Sequence, residues 1–406
     1  MPYIVPNTNL YNGITNFSTI DDLAGRKVQN TLFGEMLTTI RNPLLIYKFD
    51  YGVSEYEFTL TQTNSGTVTE SNSQAILQSS TNVFGLASVQ SKKYCRYIPG
   101  CEVILYFTAE FTTGAEDSIQ KIGLYDKNNG YWIGYNGTDF CVSRRKNSTD
   151  NIINQSDFNI DTLDGRGKSG LLLDKTKNNI YRISYSYLGS GNITFEVLNS
   201  DILSWVPFHT IKWANYNNGV HVLQPSLPVK AEVQNLGNNT NIILKTGSIN
   251  ASLAGVNLLD SPSNRSGSID VTKTISANVL TNIVSIKVAT SFNSKNNNIS
   301  VIGNYFSVAS DGNKIVKIET YANPTIPSAS YQYYNTANSV VEYDSTSLYV
   351  SGGTFSLGLA LGKSDSKYIE VKNLKRYLYP GNVITIAAFS TNDSDITVAF
   401  GWDELF

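Results

Sequence analysis

The chain of 406 residues is long enough for two domains with sizeable cores. Its 31 Lys and Arg against 33 Asp and Glu give a net charge of -2, which leaves no overall basic footprint for nucleic acid. Charged residues reach only 16% while aromatics reach 11%, so the surface is one of Tyr, Asn, Ser and Thr, suited to strands and neutral polar contacts, and no apolar run approaches the roughly 18 residues of a membrane span.

Residues 1–43 read as an extended arm punctuated by Pro2, Pro6, Gly13 and Pro43. Between Ile20 and Ile40 the pattern is balanced between helix and coil: Asp21 and Asp22 offer caps before Leu23, but Gly25 and Gly34 interrupt the period. No basic stretch followed by an apolar core opens the sequence, and three cysteines are an odd number, so a protein made in the cytoplasm with reduced thiols is expected. A Cys95–Cys101 bridge across the Tyr97-Ile98-Pro99-Gly100 turn is the minor alternative.

From Leu44 to 235, runs such as Glu102–Phe111 and Asn179–Tyr185 alternate apolar and polar residues between clusters of Gly, Asn, Asp and Pro, the pattern of an antiparallel sandwich or jelly roll. Residues 236–268, rich in small polar groups, read as a linker. About six further strands over 269–406 make a second, smaller sandwich. The expected fold is therefore all-β: two antiparallel sandwiches, jelly-roll-like, behind an extended N-terminal arm.

Reaction chemistry finds little purchase. Glu102 and Glu110 share a strand face but lie about 26 Å apart at the usual rise, too far for a glycosidase pair. Asp161 to Asp174 reads as an irregular loop held by its own Asx turns, with calcium as the lesser alternative, and Asp126 to Gly130 reads as a hairpin turn. His209 and His221 have no Cys or carboxylate at zinc spacing, and no phosphate or dinucleotide loop is present. No cofactor and no catalytic residue is expected. Most aromatics belong to the core, but Trp132 and Tyr135, with Asn136 and Asp139 beside them, could form a surface that stacks on a sugar.

Several blocks in order resemble a family of virion structural proteins from tailed bacteriophages and large DNA viruses: Asp21 to Leu37 (DDLAGRKVQNTLFGEML), Ser91 to Phe111 with its Tyr-x-Pro-Gly turn, Gly123 to Arg145, and most specifically Asn159 to Lys177 (NIDTLDGRGKSGLLLDKTK) with Leu188-Gly189. His209 to Trp213 and Pro225 to Val233 continue the resemblance, which spans residues 20 to 235; Arg166, Lys168 and Tyr187 depart from the family pattern. The resemblance implies a non-enzymatic component of a capsid, tail or fibre, found in the virion with other virion proteins as partners and a homo-oligomer, guessed trimeric, as its state. In that setting Tyr3, Ile4, Leu10, Tyr11 and Phe17 are the expected arm contacts, because a free arm has little reason to carry so many apolar groups. The alternative for those residues is folding back onto the chain's own sandwich. The rival function is a receptor- or carbohydrate-binding adhesin, with a host glycan at Trp132, Tyr135, Asn136 and Asp139; burial of Trp132 counts against that site.

Overall fold

The computed structural model describes residues 41–254, 264–374 and 376–406. The expected arm contacts Tyr3, Ile4, Leu10, Tyr11 and Phe17, and the segment balanced between helix and coil, lie outside the described residues. Regular structure among those described is strand, apart from single 3-10 turns at Gln155–Asp157 and Lys372–Leu374. The chain divides near residue 256 into two compact units, each built on two large antiparallel sheets, with a two-stranded ribbon at Ser291–Phe292 and Lys295–Asn296 in the second, and the all-β expectation holds.

The larger unit pairs a seven-stranded sheet with a nine-stranded one. The seven-stranded sheet runs in the order Thr149–Asn154, Asp139–Lys146, Gly130–Asn136, Ser118–Tyr125, Leu227–Asn235, Leu86–Cys95 and Phe58–Thr63. In the other sheet Glu102–Phe111 is the axis, flanked on one side by Asn179–Tyr185, Ile193–Asn199 and Ser204–Ile211. On its other side it pairs Ile243–Thr246 with its end and Ser248–Ala254 with its start. Those last two strands fall inside the stretch expected as a linker. Ser248, Asn250 and Ser252 alternate with the buried Ile249, Ala251 and Leu253, and Leu244 and Thr246 are buried on the preceding strand, so alternation persists beneath an unpromising composition. The first strand, Arg41–Lys48, starts within the expected arm and pairs with Ser248–Ala254.

Between the sheets lies an aromatic layer. The ring of Phe111 meets those of Tyr135, Phe140 and Tyr181 at 5.9, 6.0 and 6.2 Å in edge-to-face contacts. Tyr131 meets Tyr185 at 4.9 Å. Such pairs prefer this geometry because a ring's positive edge meets a neighbour's negative face. All three cysteines are buried and free, which removes the Cys95–Cys101 bridge; burial pushes the Cys95 and Cys141 thiols up to about 12, so both behave as small apolar groups.

The loop at 161–174 is tied by Asx turns, as its sequence suggests. The Asp161 carboxylate accepts from the backbone of Leu163 at 2.9 Å and Ser169 at 2.8 Å, and Asp164 accepts from Arg166 and Thr162. Asp126 likewise accepts from Asn128 and Asn129 to close the hairpin before Gly130.

In the smaller unit one sheet has the order Arg265–Ile275, Ser394–Leu405, Ser300–Ser310 and Ser366–Glu370, with Tyr377–Leu378 also against Ser300–Ser310. The facing sheet has six strands: Gln332–Tyr333, Val341–Asp344, Thr281–Val288, Val383–Ser390, Val316–Ala322 and Thr354–Leu361. Ile286, Phe306, Ile318, Ile386, Phe400 and Trp402 are prominent in the core between them.

A Cβ on Gly167 would sit 2.1 Å from Oδ1 of the Asp161 carboxylate, whose two oxygens are each held by a backbone amide. Gly167→Ala is therefore expected to cost about 1–3 kcal/mol, seen as a lower urea midpoint with an unchanged m-value; an unchanged midpoint would show that the loop yields without loss.

Candidate functional site

The surface expected around Trp132 does not assemble. Tyr131, Ile133 and Tyr135 pair across the sheet with Leu124, Ile122 and Gln120 and point into the aromatic layer, so Trp132 lies on the opposite face by the two-residue period of a strand. Tyr135 is a core residue, 7% exposed, and Trp132 is 1% exposed. Only Asn136 and Asp139 are exposed, at the two ends of the hairpin turn whose Gly137 has φ +61°. Two rings on opposite faces cannot share a ligand, and both are withdrawn as contacts.

Trp132 is closed in by a polar layer. Its indole N–H donates to Asp150 Oδ1 at 3.0 Å, and Arg145 holds the same carboxylate through Nε at 3.0 Å and Nη2 at 2.5 Å. Lys121 and Lys230 reach Glu232 at 2.9 and 2.5 Å, and their ammonium groups stand over the Tyr125 ring at 5.3 and 5.5 Å. Lys121 also stands 5.7 Å from the Trp132 ring. The lysine stems thus cover the rings while the charges satisfy one another. Burial would raise the Glu232 carboxyl, but Lys121 and Lys230 overcome burial and take it down to about 2. A layer so paired is built for cohesion.

The nine-stranded sheet carries a second such layer on its outward face. Arg182 grips Glu196 through two nitrogens and stands 4.5 Å from the Trp205 ring, and Arg41 donates to the Tyr106 hydroxyl. Beside them burial lifts the Glu102 carboxyl to about 7, against the pull of Arg182 and Arg41. That is the range of a catalytic acid, yet the Glu196 carboxylate is engaged by Arg182. The strand register sets Glu102 and Glu196 four residues along and two strands apart, roughly 16 Å at Cα, a poor placement for a hydrolytic pair. His209 and His221 are held neutral by burial, down to about 4 and 3, and His221 bonds to the Tyr131 hydroxyl. No metal-binding group of His, Cys, Asp and Glu occurs among the described residues.

The open aromatic surface lies on the smaller unit. Tyr305 and Tyr368 stack with centroids 5.7 Å apart and planes 22° apart. Tyr368 is 61% exposed and Tyr305 half-buried. Phe306 and Val308 face the core, so the alternation turns Tyr305 and Ser307 outward. A bulge at Asn304 sets the parity: Gly303 pairs with Trp402, but Tyr305 pairs with Gly401. A Cβ on Gly401 would lie 2.2 Å from Tyr305 Cε1, so the missing side chain is what lets the ring lie flat on the sheet. Ser307, Ala399 and Ala309 make a strip of small residues beside the ring pair, with Ser268, Asp270 and Thr272 on its far side. Sequence reading missed this site because its parts come from separate strands; the outward parity of Tyr305 was the one local signal.

Glu102 and Glu232 give opposite pH dependences. Glu102, raised in the fold above its ordinary 4.5, contributes stability that is full below pH 4.5 and lost as pH rises through 7, a swing of about 3 kcal/mol at 1.36 per unit. Glu102→Gln should remove that decline and leave the variant more stable than the parent at pH 8. Glu232, depressed from 4.5, contributes stability present above pH 4.5 and lost as pH falls through 2; Glu232→Gln should cost about 3 kcal/mol at pH 7. Urea titrations across pH 3–8 check both, and parallel curves for parent and variants would refute the assignments.

No protein-family model and no curated protein matches the chain. Solved structures similar to part of it include a cellulose-induced protein, Cip1 (14% identity over 50% of this chain and 96% of that one, TM-score 0.33). Another is a putative beta-glucanase from Mycobacterium abscessus (9%, 52% and 100%, TM-score 0.37), and a third a legume lectin-like domain from Entamoeba histolytica (10%, 50% and 95%, TM-score 0.31). Likenesses this distant carry no argument about what the chain binds or does.

Proposed function

We propose that the protein is a non-enzymatic saccharide-binding adhesin that holds its ligand on the Tyr305–Tyr368 surface. The observation that carries this reading is the ring pair itself. Among the described residues it is the stacked aromatic pair with an exposed ring, since Phe107–Tyr181 and Phe400–Trp402 are stacked but buried. A pyranose presents a face of C–H groups with hydroxyls at its rim. An exposed tyrosine offers the complement, an apolar ring face with a polar tip, and loses little side-chain entropy in the contact. Ser268, Ser307, Thr272 and Asp270 supply hydrogen-bonding groups along the strip of small residues beside the rings. The setting proposed for this binding is a virion, with assembly through the N-terminal arm; that part of the reading rests on the resemblance of residues 20 to 235.

Tyr368→Ala is expected to weaken binding of a neutral oligosaccharide by about tenfold, or 1.4 kcal/mol, measured by calorimetry on the full chain. Gly401→Ala should weaken it comparably with both rings retained, because the new Cβ lifts Tyr305 from the sheet. A cooperative thermal transition near that of the parent serves as the folding control. If a broad panel of soluble oligosaccharides gives no heat with the parent chain, or if both variants bind as the parent does, the reading fails.

A further inference from the structure

The charges around the ring pair are of one sign. The outward positions of the four strands are fixed by their pairing. They are Ser266, Ser268, Asp270, Thr272 and Thr274 on the first; Asp395, Thr397, Ala399, Gly401 and Asp403 on the second; Tyr305, Ser307 and Ala309 on the third; and Ser366, Tyr368 and Glu370 on the fourth. Four are carboxylates and none is a Lys or Arg. The cation that reaches this face, Lys372, is spent on Asp403 at 3.2 Å, where Ser266 and Asn304 also donate at 2.7 Å. Asp395 accepts from Thr274. Asp270 and Glu370 are exposed, and among the described residues their carboxylates have neither an ion pair nor a hydrogen bond.

Their placement matters as much as their sign. Glu370 pairs with Tyr305 and stands two residues from Tyr368 on the edge strand, while Asp270 closes the row Tyr368–Ser307–Ala399–Asp270 from the opposite edge. Three strand spacings make that row about 14 Å wide, enough for more than one pyranose ring lying across the strands. A saccharide stacked on the tyrosines is therefore bracketed by two unpaired carboxylates. A uronate or sialyl carboxylate brought between them meets like charge on both sides, whereas an ammonium meets a partner.

We infer that the site selects saccharides bearing amino groups, accepts neutral ones more weakly, and excludes anionic ones. This inference rests on the saccharide reading of the same face. The test titrates the full chain at low salt with three hexamers: N-acetylglucosamine oligomer, its fully de-N-acetylated cationic counterpart, and a galacturonate oligomer. The cationic oligomer should bind at least about tenfold more tightly than the uronate, with the gap closing as salt is raised. Asp270→Asn with Glu370→Gln should bring the charged oligomers to within about threefold of each other. Tyr368→Ala should weaken the neutral and cationic oligomers alike. Uronate binding equal to or tighter than that of the cationic oligomer overturns the charge inference alone. A cationic preference that survives the double substitution does the same, by locating the attraction elsewhere. Silence from all three hexamers on the parent chain overturns the saccharide reading and this inference together.

Discussion

The period of a strand, two residues per repeat with side chains thrown to opposite faces, is the constraint from which the rest of this molecule follows. It gathers Phe111, Tyr135, Phe140 and Tyr181 into one layer between the large sheets and leaves the intervening positions to face away. Each fully buried aromatic contributes about 2–3 kcal/mol, so the apposition of the sheets depends on that layer being complete. The outward faces are then free to differ in character.

They differ in a consistent way. On the larger unit both outward faces are closed by ion pairs laid over aromatic rings: Lys121, Lys230 and Glu232 over Tyr125 on one sheet, Arg182 and Glu196 beside Trp205 on the other. Few charges are present in the chain, and several are placed where burial makes the pairing strong and its disruption costly. On the four-strand face of the smaller unit the pattern inverts. Asp270 and Glu370 stand without cations and the Tyr368 ring stands without cover, which is a poor arrangement for stability and a suitable one for holding something else.

Strand identity was legible because alternation survives in single sequences, and the Asx-tied loop was legible because Asp161, Asp164 and Gly167 act on near neighbours. The Trp132 surface was misread for a reason visible in the same residues. Tyr131-Trp132-Ile133-Gly134-Tyr135 has no polar position, the signature of a strand covered on both faces, and proximity in sequence was taken for proximity on one surface. In the strand Ser248–Ala254 the apolar alternation is hidden by the small polar residues Ser248, Asn250 and Ser252 between its buried positions. Tyr305, Tyr368 and Gly401 converge only through pairing between distant segments, and a bulge set by one residue, Asn304, leaves no mark that periodicity can read.

That bulge makes the ring pair a reporter of register. Were Asn304 accommodated in the ladder instead of looped out, Tyr305 would fall opposite Phe400 and turn into the core, and the strip of small residues would lose the ring beside it while every strand remained in place. An outward-facing Tyr305 and a correctly threaded sheet are thus the same event. Any recognition displayed on this face therefore depends on that register, and a chain that collapses with its strands slipped by one would look folded by its secondary structure yet be blind.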